Sequence, residues 1–171
     1  MEMKYCRRCG KPLKHVVDNV FICQNNHNIY RNSSPCCGII FVNELKEALF
    51  ITRAIDPWKG MNHLPSGFCD DNENLEQTLL REISEELGLS SEDYEVPQYL
   101  LSHVETYEYK NETIPVTVAL FWAKISSDVK LKPGDDASDA FFLPYEKIDY
   151  NKIKFETQKI GIKRLHALDI I

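Results

Sequence analysis

The sequence predicts an α/β fold: a mixed sheet between helices, preceded by a small ribbon module. Three observations carry the expectation. An amphipathic helical stripe lies in mid-chain, runs of β-branched and aromatic residues lie on either side of it, and two closely spaced pairs of Cys and His residues stand near the amino terminus. With 171 residues the chain can bury a real core in one main domain, and the expected division is 1–34 and 35–171.

The amino-terminal segment comes first. Cys6-Arg-Arg-Cys9-Gly10 puts two thiols in a tight turn, and thirteen residues later Cys23-Gln-Asn-Asn-His27 adds a thiol and an imidazole. Between them, Val16, Val17, Val20, Phe21 and Ile22 read as a short apolar hairpin. Two ligand pairs on such a hairpin describe a tetrahedral Zn²⁺ ribbon with Cys6, Cys9, Cys23 and His27 as ligands. A module this small draws its folding energy from the metal. Cys36 and Cys37 compete with His27 for the fourth position if the chain folds back. Their other reading is burial in the apolar run CCGIIFV over 36–42, the first strand of the main domain. Free thiols in the cytoplasm are expected rather than disulfides, because no signal peptide precedes Cys6.

The mid-chain helix carries the chemistry. Leu75, Leu79, Leu80, Ile83 and Leu87 form its apolar stripe, and Gly88 fits a left-handed cap. Glu82, Glu85 and Glu86 stand at i, i+3 and i+4, so they are neighbours on the polar side and repel one another. Two of them also lie near the helix C-terminus, where the macrodipole disfavours carboxylates. A divalent cation removes that cost, since Mg²⁺ takes carboxylate oxygens while keeping waters and substrate phosphate oxygens in its shell. A plain solvated helix face is the alternative reading of this fragment alone.

Beyond the helix, strands are expected over 94–102 and 113–125, joined by a turn at 110–112, with a loop at Pro133-Gly134. A short strand over 140–143 and a final helix over 155–168 close the chain. Tyr99, Tyr107, Tyr109, Phe121 and Trp122, with Phe68 at the approach to the helix, are the aromatic candidates for stacking a purine. Cys69 reads as a buried structural thiol, since nothing basic adjoins it.

Gly67, then Glu73 after five residues, then Arg81, Glu82, Ile83, Glu85, Glu86, Gly88 and Leu89 after seven more, resemble in every defined position the signature of the Nudix hydrolases. The resemblance implies a Nudix-like α/β/α sandwich over 36–171 and Mg²⁺- or Mn²⁺-dependent hydrolysis of a nucleoside diphosphate linked to another moiety. It also implies that Glu82, Glu85 and Glu86, with the Gly67 carbonyl, hold the metal, and that Arg81 pairs with Glu73 to brace the loop. Glu85 or Glu86 is the expected general base, with the acidic stretch Asp135, Asp136, Asp139 as the alternative. The ribbon is similar to the one preceding the catalytic domain in the branch that includes NADH pyrophosphatases, although those usually have four cysteines. Their Ser-Gln-Pro-Trp-Pro-Phe-Pro array does not follow Leu89, and Pro97 comes too soon for the proline often seen in ADP-ribose hydrolases.

Bulk charge narrows the partners. Lys and Arg total 20 against 26 Asp and Glu, a formal charge of −6, which argues against a general nucleic-acid surface despite the basic patch of Lys4, Arg7, Arg8, Lys11, Lys14 and His15. No apolar run approaches membrane-spanning length. A small nucleotide substrate is expected, with a homodimer as an open arrangement. A capped-RNA hydrolase or RNA-binding protein, and a non-catalytic nucleotide-sensing regulator on the same fold, are the competing readings.

Overall fold

The computed structural model describes residues 3–110, 112–134 and 137–171; Asn111, Asp135 and Asp136, named above, lie outside the described residues, as does the side chain of Tyr109. Contacts divide the chain into two units, Met1–Ser34 with Thr106–Pro115, and Pro35–Glu105 with Val116–Ile171.

In the first unit β1 (Leu13–Val17), β2 (Val20–Cys23) and β3 (Asn28–Tyr30) form an antiparallel sheet in that order. The turn between β1 and β2 is possible because Asp18 takes a left-handed φ of 48°, a conformation Asp tolerates. Among the described residues the buried set is Cys6, Cys23 and Ile29, with Met3, Cys9, Leu13 and Phe21 packed against it. So small a core is marginal without a further cross-link.

The second unit holds β4 (Ser34–Val42) from Pro35 on, β5 (Glu47–Arg53), β6 (Asn62–His63), β7 (Ser66–Phe68), β8 (Gln98–Tyr109) up to Glu105, β9 (Glu112–Lys124) from Val116 on and β10 (Ala137–Pro144), with helices α1 (Leu75–Leu87) and α2 (Glu156–Ala167). The sheet runs β10-β5-β4-β9-β8, with β6 on β5 and β7 on β4. β10, β6 and β4 all run antiparallel to β5. The Ile125 N–H, just past β9, donates to the carbonyl of Val42, the last residue of β4, at 3.0 Å. The carboxyl ends of these neighbours therefore meet, β9 runs parallel to β4, and the sheet is mixed.

Side-chain alternation places one helix on each face. Cys37, Ile39 and Phe41 of β4 pack with Leu49, Ala119, Phe121 and the α1 residues Leu79, Ile83 and Leu87. Ile40 and Val42 point the other way, onto Phe50, Leu120 and the α2 residues Ile162 and Leu165. The result is the expected α/β/α sandwich. Among the described residues no helix is long and apolar enough to cross a membrane.

Several boundaries differ from the sequence reading. β8 begins at Gln98, not at 94, because Pro97 has no N–H to give to a ladder; Tyr94 makes only an isolated bridge to Ile125. β10 extends to Ala137–Pro144, with a bulge between Ala137 and Asp139 that lets the acidic end of the strand pair with β5. β5 itself, EALFITR, was not anticipated. Its apolar run is too short to show a period, and it owes its identity to pairing with β10, β6 and β4.

Candidate functional site

Two devices fix the ends of α1. Asn74 caps the start in a reciprocal box with Gln77, the Gln77 N–H donating to Asn74 Oδ1 at 2.8 Å and the Asn74 N–H to Gln77 Oε1 at 3.0 Å. At the other end Gly88 adopts φ 66°, and its N–H donates to the Ser84 carbonyl. The Lys132 and Gly134 N–H groups then donate to the Leu87 and Glu86 carbonyls at 2.9 and 3.1 Å. A Cβ at Gly134 would run into the Glu85 carbonyl, so glycine is what lets this loop close on the helix.

β7 brings the preceding loop alongside. Cys36, Cys37 and Gly38 of β4 pair with Phe68, Gly67 and Ser66. The Ser66 N–H donates to Glu86 Oε2 at 2.9 Å. Gly67 faces Glu82 so closely that a Cβ there would fall within the Glu82 carboxylate. Glu82 and Glu86 are thereby held against the loop that contains Gly67.

Arg81 gathers the rest. Its Nε and Nη2 donate to the two oxygens of Glu73 at 2.9 and 3.1 Å, and Nη2 also donates to the Phe68 carbonyl at 2.9 Å. Nη1 donates to Glu82 Oε1 at 2.7 Å and Glu85 Oε2 at 3.0 Å. Glu73 further accepts from Thr78 Oγ at 2.9 Å and from the Asp70 N–H at 3.1 Å. These bonds, that from Arg81 first, hold the Glu73 carboxyl at about 2, while the same pairing raises Arg81 above its ordinary range. Glu82 shifts upward, because burial penalises its charge more than Arg81 relieves it. Its side chain is 13 % exposed, against 59 % for Glu85. A partly buried carboxylate among like charges is a poor structural element and a good cation ligand.

The second cluster lies in the first unit. Ligand atoms of Cys6, Cys9, Cys23 and His27 all lie within 4.8 Å of one another. Cys6 Sγ is 3.5 Å from His27 Nδ1, and Cys9 Sγ is 3.7 Å from Cys23 Sγ. Bonds of about 2.3 Å to sulfur and about 2.0 Å to nitrogen at tetrahedral angles would put ligand atoms roughly 3.5–3.8 Å apart, so the set fits Zn²⁺. Cys36 and Cys37 are in β4, with their thiols donating to the Cys37 and Leu75 carbonyls. Burial pushes both thiols up, that of Cys37 to about 12, which keeps them protonated. All six cysteines are free, and Cys69 is half-buried.

Of the aromatic candidates, Phe68 adjoins the carboxylates, through its carbonyl, which accepts from Arg81. Tyr99 is exposed on β8, edge-on to Phe121 at 5.9 Å. Tyr107 belongs to the first unit. Trp122 lines a cavity of about 880 Å³ with Val42, Tyr94, Ile125 and Ile170, at the opposite end of β4 from Gly67. Asp139 accepts from the N–H of its neighbour Ala140. Thr78, Asp70 and the Ser66 N–H escaped the sequence reading because each acts through geometry that no spacing encodes.

A family profile described as NUDIX domain matches residues 33–165. The chain belongs to the NUDIX domain family. It is 34 % identical over 90 residues to the human mitochondrial NAD(P)H pyrophosphatase NUDT13, a match covering 52 % of this chain and 25 % of that protein. To the ADP-ribose pyrophosphatase of Methanocaldococcus jannaschii it is 31 % identical over 114 residues, covering 66 % of this chain and 62 % of the other. A crystal structure of a NUDIX hydrolase from Nitrosomonas europaea superposes with a TM-score of 0.71 and 26 % identity, covering 96 % of this chain and 91 % of that one. The match to the human relative thus spans about a quarter of that protein's length.

Proposed function

We propose that this chain hydrolyses the diphosphate linkage of a nucleoside diphosphate derivative, such as ADP-ribose, NADH, FAD or a related dinucleotide, by attack of water on phosphorus. The observation that carries the reading is the convergence of Glu73, Glu82 and Glu85 on one guanidinium, that of Arg81, beside Glu86 held on the Ser66 N–H. Glu82, Glu85, Glu86 and the Gly67 carbonyl offer the hard oxygens that Mg²⁺ or Mn²⁺ takes together with substrate phosphate oxygens. Bound there, the ion would offset charge developing on the phosphoryl oxygens and lower the pKa of the attacking water. Arg81 and Glu73 brace the loop to the helix. Glu85 or Glu86 accepts the proton from water.

Cys6, Cys9, Cys23 and His27 are assigned to a structural Zn²⁺, on the gathering of their four ligand atoms within 4.8 Å of one another. Six free thiols suit a reducing cytoplasm. A non-catalytic sensor has no need of the full carboxylate set, and a capped-RNA hydrolase would gain from a basic groove that the −6 charge does not favour.

The test is nucleotide or phosphate release from ADP-ribose, NADH, NAD, FAD, CoA, diadenosine polyphosphates, nucleoside triphosphates and capped RNA, with Mg²⁺ or Mn²⁺ and an EDTA control. Metal-dependent cleavage of one preferred diphosphate is expected. No turnover of any of them, with the divalent ion bound, would refute the hydrolase reading.

A further inference from the structure

We propose that the cavity at the far end of the sheet binds an organic cation, an ammonium or guanidinium group carried on an apolar stem, at a site separate from the carboxylates of α1. Val42, the last residue of β4, and Ile125, just past β9, both line it. The cavity therefore lies at the carboxyl ends of two parallel neighbours, the place where open α/β sheets hold their ligands. Val42 stands five residues beyond Cys37, the partner of Gly67, which is about 17 Å along β4. A volume of about 880 Å³ suits a small molecule.

The charge of the lining chooses the sign of the ligand. Glu44, Glu92, Asp93, Glu95 and Asp169 line the cavity against two lysines, Lys46 and Lys124. Lys46 is already engaged, its Nζ donating to the Asp169 carboxylate at 2.7 Å and to the Asp169 carbonyl at 2.9 Å. Bonds from Ser127 to Glu44 and from Ser90 to Asp93 hold both carboxyls below the ordinary range, so they stay charged at neutral pH. Glu92 and Glu95 are exposed. Such a lining repels phosphates and attracts a cation.

The walls choose its body. Trp122 is half-buried, and the Tyr94 ring is set 5.0 Å from Phe41, tilted by 57°. A cation within about 6 Å of such a ring is drawn to its face, and indole is the strongest partner. Val42, Ile125 and Ile170 offer the apolar surface that a hydrocarbon stem covers. A bare metal ion has no use for that surface, and a neutral hydrocarbon has none for the carboxylates. The site stands whether or not the α1 carboxylates hydrolyse a diphosphate.

Titration of the full chain with diaminobutane, butanediol and N-acetyl-lysine N-methylamide, followed by NMR of the indole N–H signals, tests this. The chain has two tryptophans, and Trp122→Phe identifies the signal of Trp122. That signal should shift saturably while that of Trp58 stays in place. The diamine should bind at least about tenfold more tightly than the diol, which has the same stem without the charge. Glu92→Gln combined with Glu95→Gln, at exposed positions that leave the core untouched, should weaken the diamine about tenfold and leave the diol as it was. A diamine bound more tightly than the lysine derivative names a free amine as the ligand, and the reverse order names a protein side chain; either order upholds the cation site. No saturable shift of Trp122, equal affinity for diamine and diol, or a diamine affinity unchanged in the double variant would overturn it.

Discussion

Arg81 grips Glu73 with two hydrogen bonds, Nε to Oε1 at 2.9 Å and Nη2 to Oε2 at 3.1 Å, and spends its remaining donors on Glu82, Glu85 and the Phe68 carbonyl. One planar cation thus joins the loop before α1 to three carboxylates around it. A lysine ammonium is a point charge and cannot span that set. Arg81→Lys should lower kcat/KM about a hundredfold and the melting temperature by about 5 °C, read by steady-state kinetics and calorimetry. Wild-type kinetics in this variant would show that the brace is dispensable.

Two groups give stability a stepped pH dependence. Glu73 titrates at about 2 when folded against an ordinary 4.5, so its contribution is complete above about 4.5 and disappears as pH falls toward 2. His63 is buried and titrates at about 4 against 6.5, chiefly because burial disfavours its cation, with Arg53 adding to the effect. Its contribution is present above 6.5 and declines as pH falls toward 4. Urea unfolding from pH 7 to 2 should show both windows. Glu73→Gln should reduce the lower step, to which Glu44, Asp93 and Asp169 also contribute through their lowered carboxyls, and His63→Gln the upper one.

Replacing a carboxylate ligand should stop the chemistry without opening a cavity. Glu86→Gln keeps an acceptor for the Ser66 N–H, and Glu85 is largely exposed, so both variants should fold as the wild type does. Their kcat should fall by about a hundredfold or more. Losses below tenfold in both would remove these residues from the metal site.

Gly67→Ala tests the close approach. Its Cβ would displace the Glu82 carboxylate, so affinity for Mn²⁺ measured by electron paramagnetic resonance should weaken about tenfold or more. Unchanged affinity would mean that Glu82 does not need its present position.

Zinc content separates the two cysteine groups. Elemental analysis should find one Zn²⁺ per chain, largely lost in Cys6→Ser and retained in His27→Cys, since thiolate and imidazole are both zinc ligands. Cys36→Ser and Cys37→Ser should keep it, because both thiols sit in β4. Zinc retained in Cys6→Ser would refute the assigned ligand set.

The local physics of the chain was enough for its helices and for the carboxylates on one of them. The spacing of Leu79, Ile83 and Leu87 sets the buried face of α1, and Gly88 ends it, because both signals act within a turn or two of the residue that carries them. The same locality made the pairs Cys6/Cys9 and Cys23/His27 legible. What depended on distant partners was hidden. β5 is a strand because β4 and β10 flank it. Trp122 looked like a purine-stacking residue but lies at the far end of the sheet from Gly67. Glu105 and Thr157 carry no motif at all. They meet only because β8 and α2 pack on one sheet, and hydrogen bonds between residues 52 positions apart are a product of topology that no sequence period contains.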